Sequence, residues 1–171
     1  MAVSMYTASV PIFVQYLTAL SSVLDKAEAH CEAKKLDQSY FMALRFYPDM
    51  FPFVRQVRAA TDHALNACAR PAGLDLPKFE NNEASFADLK KRIATVIEFI
   101  KVIKPEQLDG QDGREITITF PSGERRFTGQ SLLQNFALPN FYFHAATAYD
   151  LLRHNGVELS KRDFMGTPVE L

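Results

Sequence analysis

The run Phe141-Tyr142-Phe143-His144-Ala145-Ala146-Thr147-Ala148-Tyr149-Asp150-Leu151-Leu152-Arg153-His154-Asn155-Gly156 decides the fold. Together with the residues before it, it supplies one apolar set: Leu132, Leu133, Phe136, Phe143, Ala148, Leu151 and Leu152. Their helical spacing predicts a long helix from about Gln130 to His154. Pro139 is expected to kink or interrupt it, because proline lacks the N–H and clashes with the preceding turn. Asn155-Gly156 is a helix stop, since both residues tolerate the left-handed conformation that closes a C-terminus.

Working back from that helix, Glu115 to Phe120 alternates Ile116, Ile118 and Phe120 with Thr117 and Thr119. Pro121-Ser122-Gly123 turns the chain and Glu124 to Thr128 returns, which predicts one β-hairpin lying against helices. Before it, Ser85 and Asp88 form a capping pattern for a helix carrying Phe86, Leu89, Ile93, Val96, Ile97, Ile100 and Ile103, ended by Pro105. Asp49 is a candidate cap for a helix from about Met50 to Ala69, stopped by Pro71 and Gly73. The first helix is expected over Val10 to Lys34, with Pro11 in its first turn and Lys34 and Lys35 at its cationic-favouring end. The tail, Val157 to Leu171, is expected to pack back through Phe164 and Met165. Four long helices with one hairpin predict an all-α four-helix bundle spanning 1–171 as a single domain, the hairpin lying in the connection between the third and fourth long helices.

Composition narrows function. Nineteen basic residues face 20 acidic ones, and a net charge of -1 gives no global attraction to nucleic acid or to an anionic membrane. No run of apolar residues is long enough to span a bilayer, and Met1 to Val10 lacks the basic-then-apolar pattern of a signal peptide. The two cysteines, Cys31 and Cys68, form neither a disulfide framework nor a zinc spacing, so a cytoplasmic home is expected.

The closing segment from Phe141 to Glu158, with the order of elements, Met5-Tyr6 through Leu20 and the Lys161-Arg162-Asp163-Phe164 tail, resembles a group of uncharacterised bacterial proteins. That group is classed as a domain of unknown function near the DinB/YfiT-like four-helix bundles. The resemblance covers nearly the whole chain. It implies a divalent metal, zinc or nickel, held by three histidines, one on the second long helix and two spaced four apart on the fourth; some members act on low-molecular-weight thiols. On this chain His63 matches the second-helix histidine and His144 the first of the fourth-helix pair. The position four residues on is Ala148, which has no donor. His154 lies about 15 Å further along the axis and points elsewhere, so it is no substitute.

Taken by themselves, His144 reads as a half-buried, hydrogen-bonded histidine and His63 as a rim histidine. The alternative for both is a shared ligand-binding or metal site completed by a third group such as Asp62 or Tyr149. His154 is explained by its place in the last helical turn, where a cation suits the dipole and Asp150 is one turn away. Lys90-Lys91-Arg92 reads as a solvated face. Two function classes follow. The first, favoured by Ala148, is a non-enzymatic binding or interaction protein, a homodimer or a small-molecule binder, with a degenerate metal site. The second is a metal-assisted enzyme acting on a small molecule such as a thiol adduct, in which the ion would activate water or thiolate.

Overall fold

The computed structural model describes residues 3–168. The first helix, α1, runs Val10–Lys34 as its periodicity predicts. Phe13, Leu17, Leu20, Leu24, Ala27 and Cys31 are buried along one stripe, three and four residues apart. Lys35 closes the helix in the left-handed region (φ 55°), where its N–H reaches Cys31 and Glu32 carbonyls. The aromatic-rich stretch that follows forms a short helix, α2 (Gln38–Ala43), capped by Asp37 on the Ser39 N–H at 2.9 Å.

The next helix departs from its expected start. α3 runs Phe53–Ala72, with Pro52 rather than Asp49 at its N-cap. Proline disfavours helical geometry in the residue before it, so Phe51 stays outside the helix. At the other end Pro71 is accommodated in the last turn, and Gly73 (φ 70°) terminates it. α4 runs Phe86–Lys101 and realises the predicted cap: Ser85 Oγ accepts from the Asp88 N–H at 3.1 Å, and Asp88 accepts from the Ala84 N–H. A single turn, α5 (Pro105–Leu108), leads to the hairpin.

Strands β1 (Glu115–Phe120) and β2 (Gly123–Thr128) pair antiparallel, with Ile116 opposite Phe127 and Ile118 opposite Arg125. Ile116 and Ile118 bury against Leu132, with Phe120, Phe127 and Phe136 around them, so the hairpin is held by helical side chains. Gly129, in the turn α6 (Gly129–Ser131), is where the hairpin rejoins the helices. A Cβ there would lie 2.1 Å from the Gln111 carbonyl oxygen, an approach only glycine allows.

The last long element is interrupted where Pro139 predicts. Leu132–Ala137 forms a π-helical segment and α7 follows as Leu138–His154. The wider turn absorbs the missing proline N–H and its clash with the turn before, and Asn140 Nδ2 donates to the Phe136 carbonyl at 2.7 Å. Phe143, expected in the core, is 56% exposed. The interruption shifts the phase of the apolar stripe, and Phe141 takes the buried place. A final turn, α8 (Lys161–Met165), packs Phe164 on Tyr16 and ties Met165 O to Gln15 on α1. This confirms the expected return of the tail as far as residue 168; residues 169–171, like 1–2, lie outside the described residues.

The four long helices pack pairwise, α3 on α7, α1 on α4 and α3 on α4, around one buried cluster to which all contribute. The architecture is mostly helical with a small two-stranded antiparallel hairpin. Among the described residues no helix is long and apolar enough to cross a membrane.

Candidate functional site

Where α3 and α7 pack together, the structure does bring His63 and His144 into contact. Their ring centroids are 5.7 Å apart and the planes differ by 10°, so the imidazoles stack. His144 is hydrogen-bonded as expected, but it is buried rather than half-buried. Its partner is Gln56, two turns before His63 on the same face of α3. The Gln56 amide is oriented by its own bond: Nε2 donates to the Phe51 carbonyl at 3.0 Å, which turns Oε1 toward His144 Nδ1 at 2.7 Å. An oxygen facing Nδ1 assigns the proton of neutral His144 to that nitrogen and leaves Nε2 as an acceptor. Among the described residues no buried side-chain nitrogen or oxygen lacks a partner, so the unbonded Nε2 reaches solvent.

Aromatic rings extend the pair in both directions. Phe51 stacks on His144 at 5.9 Å with planes within 5°, and the Arg55 guanidinium lies 3.6 Å over Phe51. On the other side His63 meets Phe136 of the π-helical segment edge-on at 5.3 Å. His63 is therefore half-buried within a column, not the solvated rim residue expected from its charged neighbours. Burial, and then the neighbouring His144, push its pKa down to about 4; burial and Arg55 also lower that of His144.

The sign of the resulting pH dependence follows from linkage. His63 protonates near 6.5 when unfolded and near 4 when folded, so below 6.5 the unfolded chain binds the extra proton. Stability from this group is complete above pH 6.5 and is lost as pH falls toward 4. After discounting for partial exposure, urea melts should show a loss on the order of 1–2 kcal/mol between pH 7 and pH 5. His63→Phe should flatten that slope, and an unchanged slope would show that His63 is not held neutral.

The residues do not fit the three-histidine metal site. Ala148, one turn after His144, is fully buried in the core. Asp62 is committed to Arg92 Nη2 at 2.5 Å, and Tyr149 packs on Phe164 on another flank of α7. The in-plane lone pairs of two stacked imidazoles run side by side rather than converge about 2 Å from one ion. Among the described residues no group of three or more His, Cys, Asp or Glu side chains is placed to hold a metal. His154 lies apart, edge-on to Phe46 at 5.8 Å. Cys31 and Cys68 are buried, and burial raises both thiols, so neither is an activated nucleophile.

A second polar cluster surrounds Arg92. Arg92, expected on a solvated face, is 3% exposed. Its guanidinium donates to Thr61, Asn81, Glu83 and Asp62 and lies over the Phe79 ring at 4.0 Å, pinning the 74–85 connection onto α3 and α4. Glu83 also accepts from Arg58. Gln56 left a trace in the sequence, as a polar residue in the apolar spacing Phe53, Val57, Ala60 and Ala64 of α3; Arg92 left none.

The helical framework and its hairpin define a DinB-like domain. The chain is similar to a DinB family member protein from Shewanella denitrificans, whose crystal structure matches it with a TM-score of 0.86 at 35% identity over 97% of this chain and 94% of that one. Residues 5–165 match the family described as DUF1993, a domain of unknown function, and the chain belongs to that family. No curated protein matches it.

Proposed function

We infer that this chain is a non-enzymatic binding or interaction protein, a DinB-type four-helix bundle forming one domain, in which the metal position has become a packed histidine–aromatic column. One observation carries this reading: His63 stacks on His144 while the next position on that face of α7, Ala148, lies in the core. An imidazole whose Nδ1–H is fixed by Gln56 resembles the oriented ligands of metal sites, yet its neighbour offers a ring face rather than a second converging lone pair. Two buried free thiols suit a reducing, cytoplasmic compartment. Self-association as a homodimer is part of the same reading and is read by light scattering.

Elemental analysis of tag-free protein tests it. Wild type incubated with zinc or nickel and then desalted should retain far less than one ion per chain and match a His63→Ala, His144→Ala double variant. Near-stoichiometric metal in wild type, lost in the double variant, would instead establish the metal-assisted enzyme and direct a screen toward small substrates such as thiol adducts.

A further inference from the structure

A strip of rings, partly buried except for the buried His144, runs where α3, α7 and the hairpin meet. Phe120 meets Phe136 at 5.8 Å, Phe136 meets His63 at 5.3 Å, His63 stacks on His144, and His144 stacks on Phe51. Phe143 stands beside it, 56% exposed, its ring 5.2 Å from His144. Each end of the strip carries an exposed arginine lying on a phenyl ring. Arg55 is 3.6 Å from the Phe51 centroid, and Arg125 is 5.4 Å from that of Phe120.

Neither arginine has a carboxylate partner among the described residues, whereas the more buried Arg58 and Arg92 both do. The one acidic side chain adjoining His63 in sequence, Asp62, is bound to Arg92. The strip is therefore aromatic along its middle, with the His144 Nε2 as a polar point, and cationic at both ends. Aromatic and arginine side chains dominate binding energy at protein interfaces, and contiguous exposed apolar surface rimmed by polar groups marks contact sites.

We propose that this strip docks an acidic peptide segment bearing aromatic or aliphatic side chains. Its carboxylates engage Arg55 and Arg125, and its apolar side chains lie along Phe136, Phe143 and Phe51. Charge complementarity selects this occupant. Arg55 and Arg125 sit over rings and carry no carboxylate partner among the described residues, so their N–H donors are available for bidentate pairing with a carboxylate. The ring-to-ring steps, 5.3 Å to 5.9 Å each, accommodate at most about seven residues of an extended segment at roughly 3.3 Å each. Single-stranded nucleic acid also stacks on aromatic rings, but it requires cations along its whole backbone. Among the described residues the arginines lying over the strip's rings, Arg55 and Arg125, stand at its two ends, and the chain's net charge is -1.

The proposal rests on the chain being a binding protein, and panning a random peptide library against the full chain tests it. Enriched sequences should combine Asp or Glu with Phe, Tyr, Trp or Leu. Their synthetic forms should weaken with salt and bind the Arg55→Glu, Arg125→Glu double variant at least about tenfold less tightly. An Arg55→Gln, Arg125→Gln variant, with melts of both, separates lost charge from lost fold. The proposal is overturned by no enrichment, by enrichment of non-acidic sequences, by equal binding to the charge-reversed variant, by an oligothymidylate that binds wild type through the same arginines, or by a homodimer that buries Phe143. Failure of the underlying reading would appear separately, as stoichiometric metal on wild type.

Discussion

Arg92→Ala is expected to cost about 3–5 kcal/mol of unfolding free energy, among the largest effects of any single substitution in this chain. Arg92 is 3% exposed and its guanidinium bonds four side chains. Removing it strands Glu83, whose side chain is 9% exposed, with Arg58 as its remaining cation. Burial by itself would raise the Glu83 carboxyl, but Arg92's bond and charge, a backbone N–H bond and the Arg58 charge together outweigh burial and leave it below the usual carboxylate range. The stability this carboxylate contributes is therefore present above its ordinary pKa and is lost as pH falls through the lowered one. Arg92→Lys should recover only part of the loss, since one ammonium does not reproduce a planar fork facing Thr61, Asn81, Glu83 and Asp62. Urea denaturation measures the cost, and limited proteolysis should cut the 74–85 connection faster in the variant. If Arg92→Met proves neutral or stabilising, the network is a desolvation burden and not the clamp described here.

Phe141→Ala is expected to cost a similar amount, about 3–5 kcal/mol, by a different route. Phe141 is fully buried and makes edge-to-face contacts with Phe13 at 5.0 Å, Tyr142 at 5.6 Å and Tyr16 at 6.4 Å. Truncation removes the transfer energy of a phenyl ring and leaves a cavity between α1 and α7 that rigid helices fill only in part. Phe141→Leu, which keeps most of the volume, should lose less than half as much. The neighbouring Phe143→Ala should change stability little, because that ring is exposed. Equal losses at 141 and 143 would contradict the phase of α7 described above.

The contrast between those two phenylalanines marks how far the sequence could be read. Periodicity identified the long α7 helix and Pro139 marked its interruption, but the rotation that the π-helical turn imposes on everything after it cannot be counted from spacing. The start of α3 differs from its expected place for a related reason: Asp49 is a good cap in isolation, and Pro52 overrides it by constraining Phe51. Of the candidate site, His63 and His144 were legible as a pair through the family resemblance. Gln56, Phe51 and Phe136 were not, because they come from three different segments and acquire meaning only beside His144.

Local, short-range chemistry was determined by the sequence alone. The amphipathic period of α1, the Ser85–Asp88 cap and the alternation of Ile116, Ile118 and Phe120 each act within a few residues and produced the elements they predict. Ala148 was legible too, as the residue standing where the family resemblance implies a second histidine on the last long helix. The tertiary structure decided what depends on who meets whom. It buried Arg92 within a basic run, turned His63 face-on to His144, and left Phe143 outside while Phe141 filled the core. Burial and ring orientation are set by several segments packing at once, and that information is spread over residues far apart in the chain.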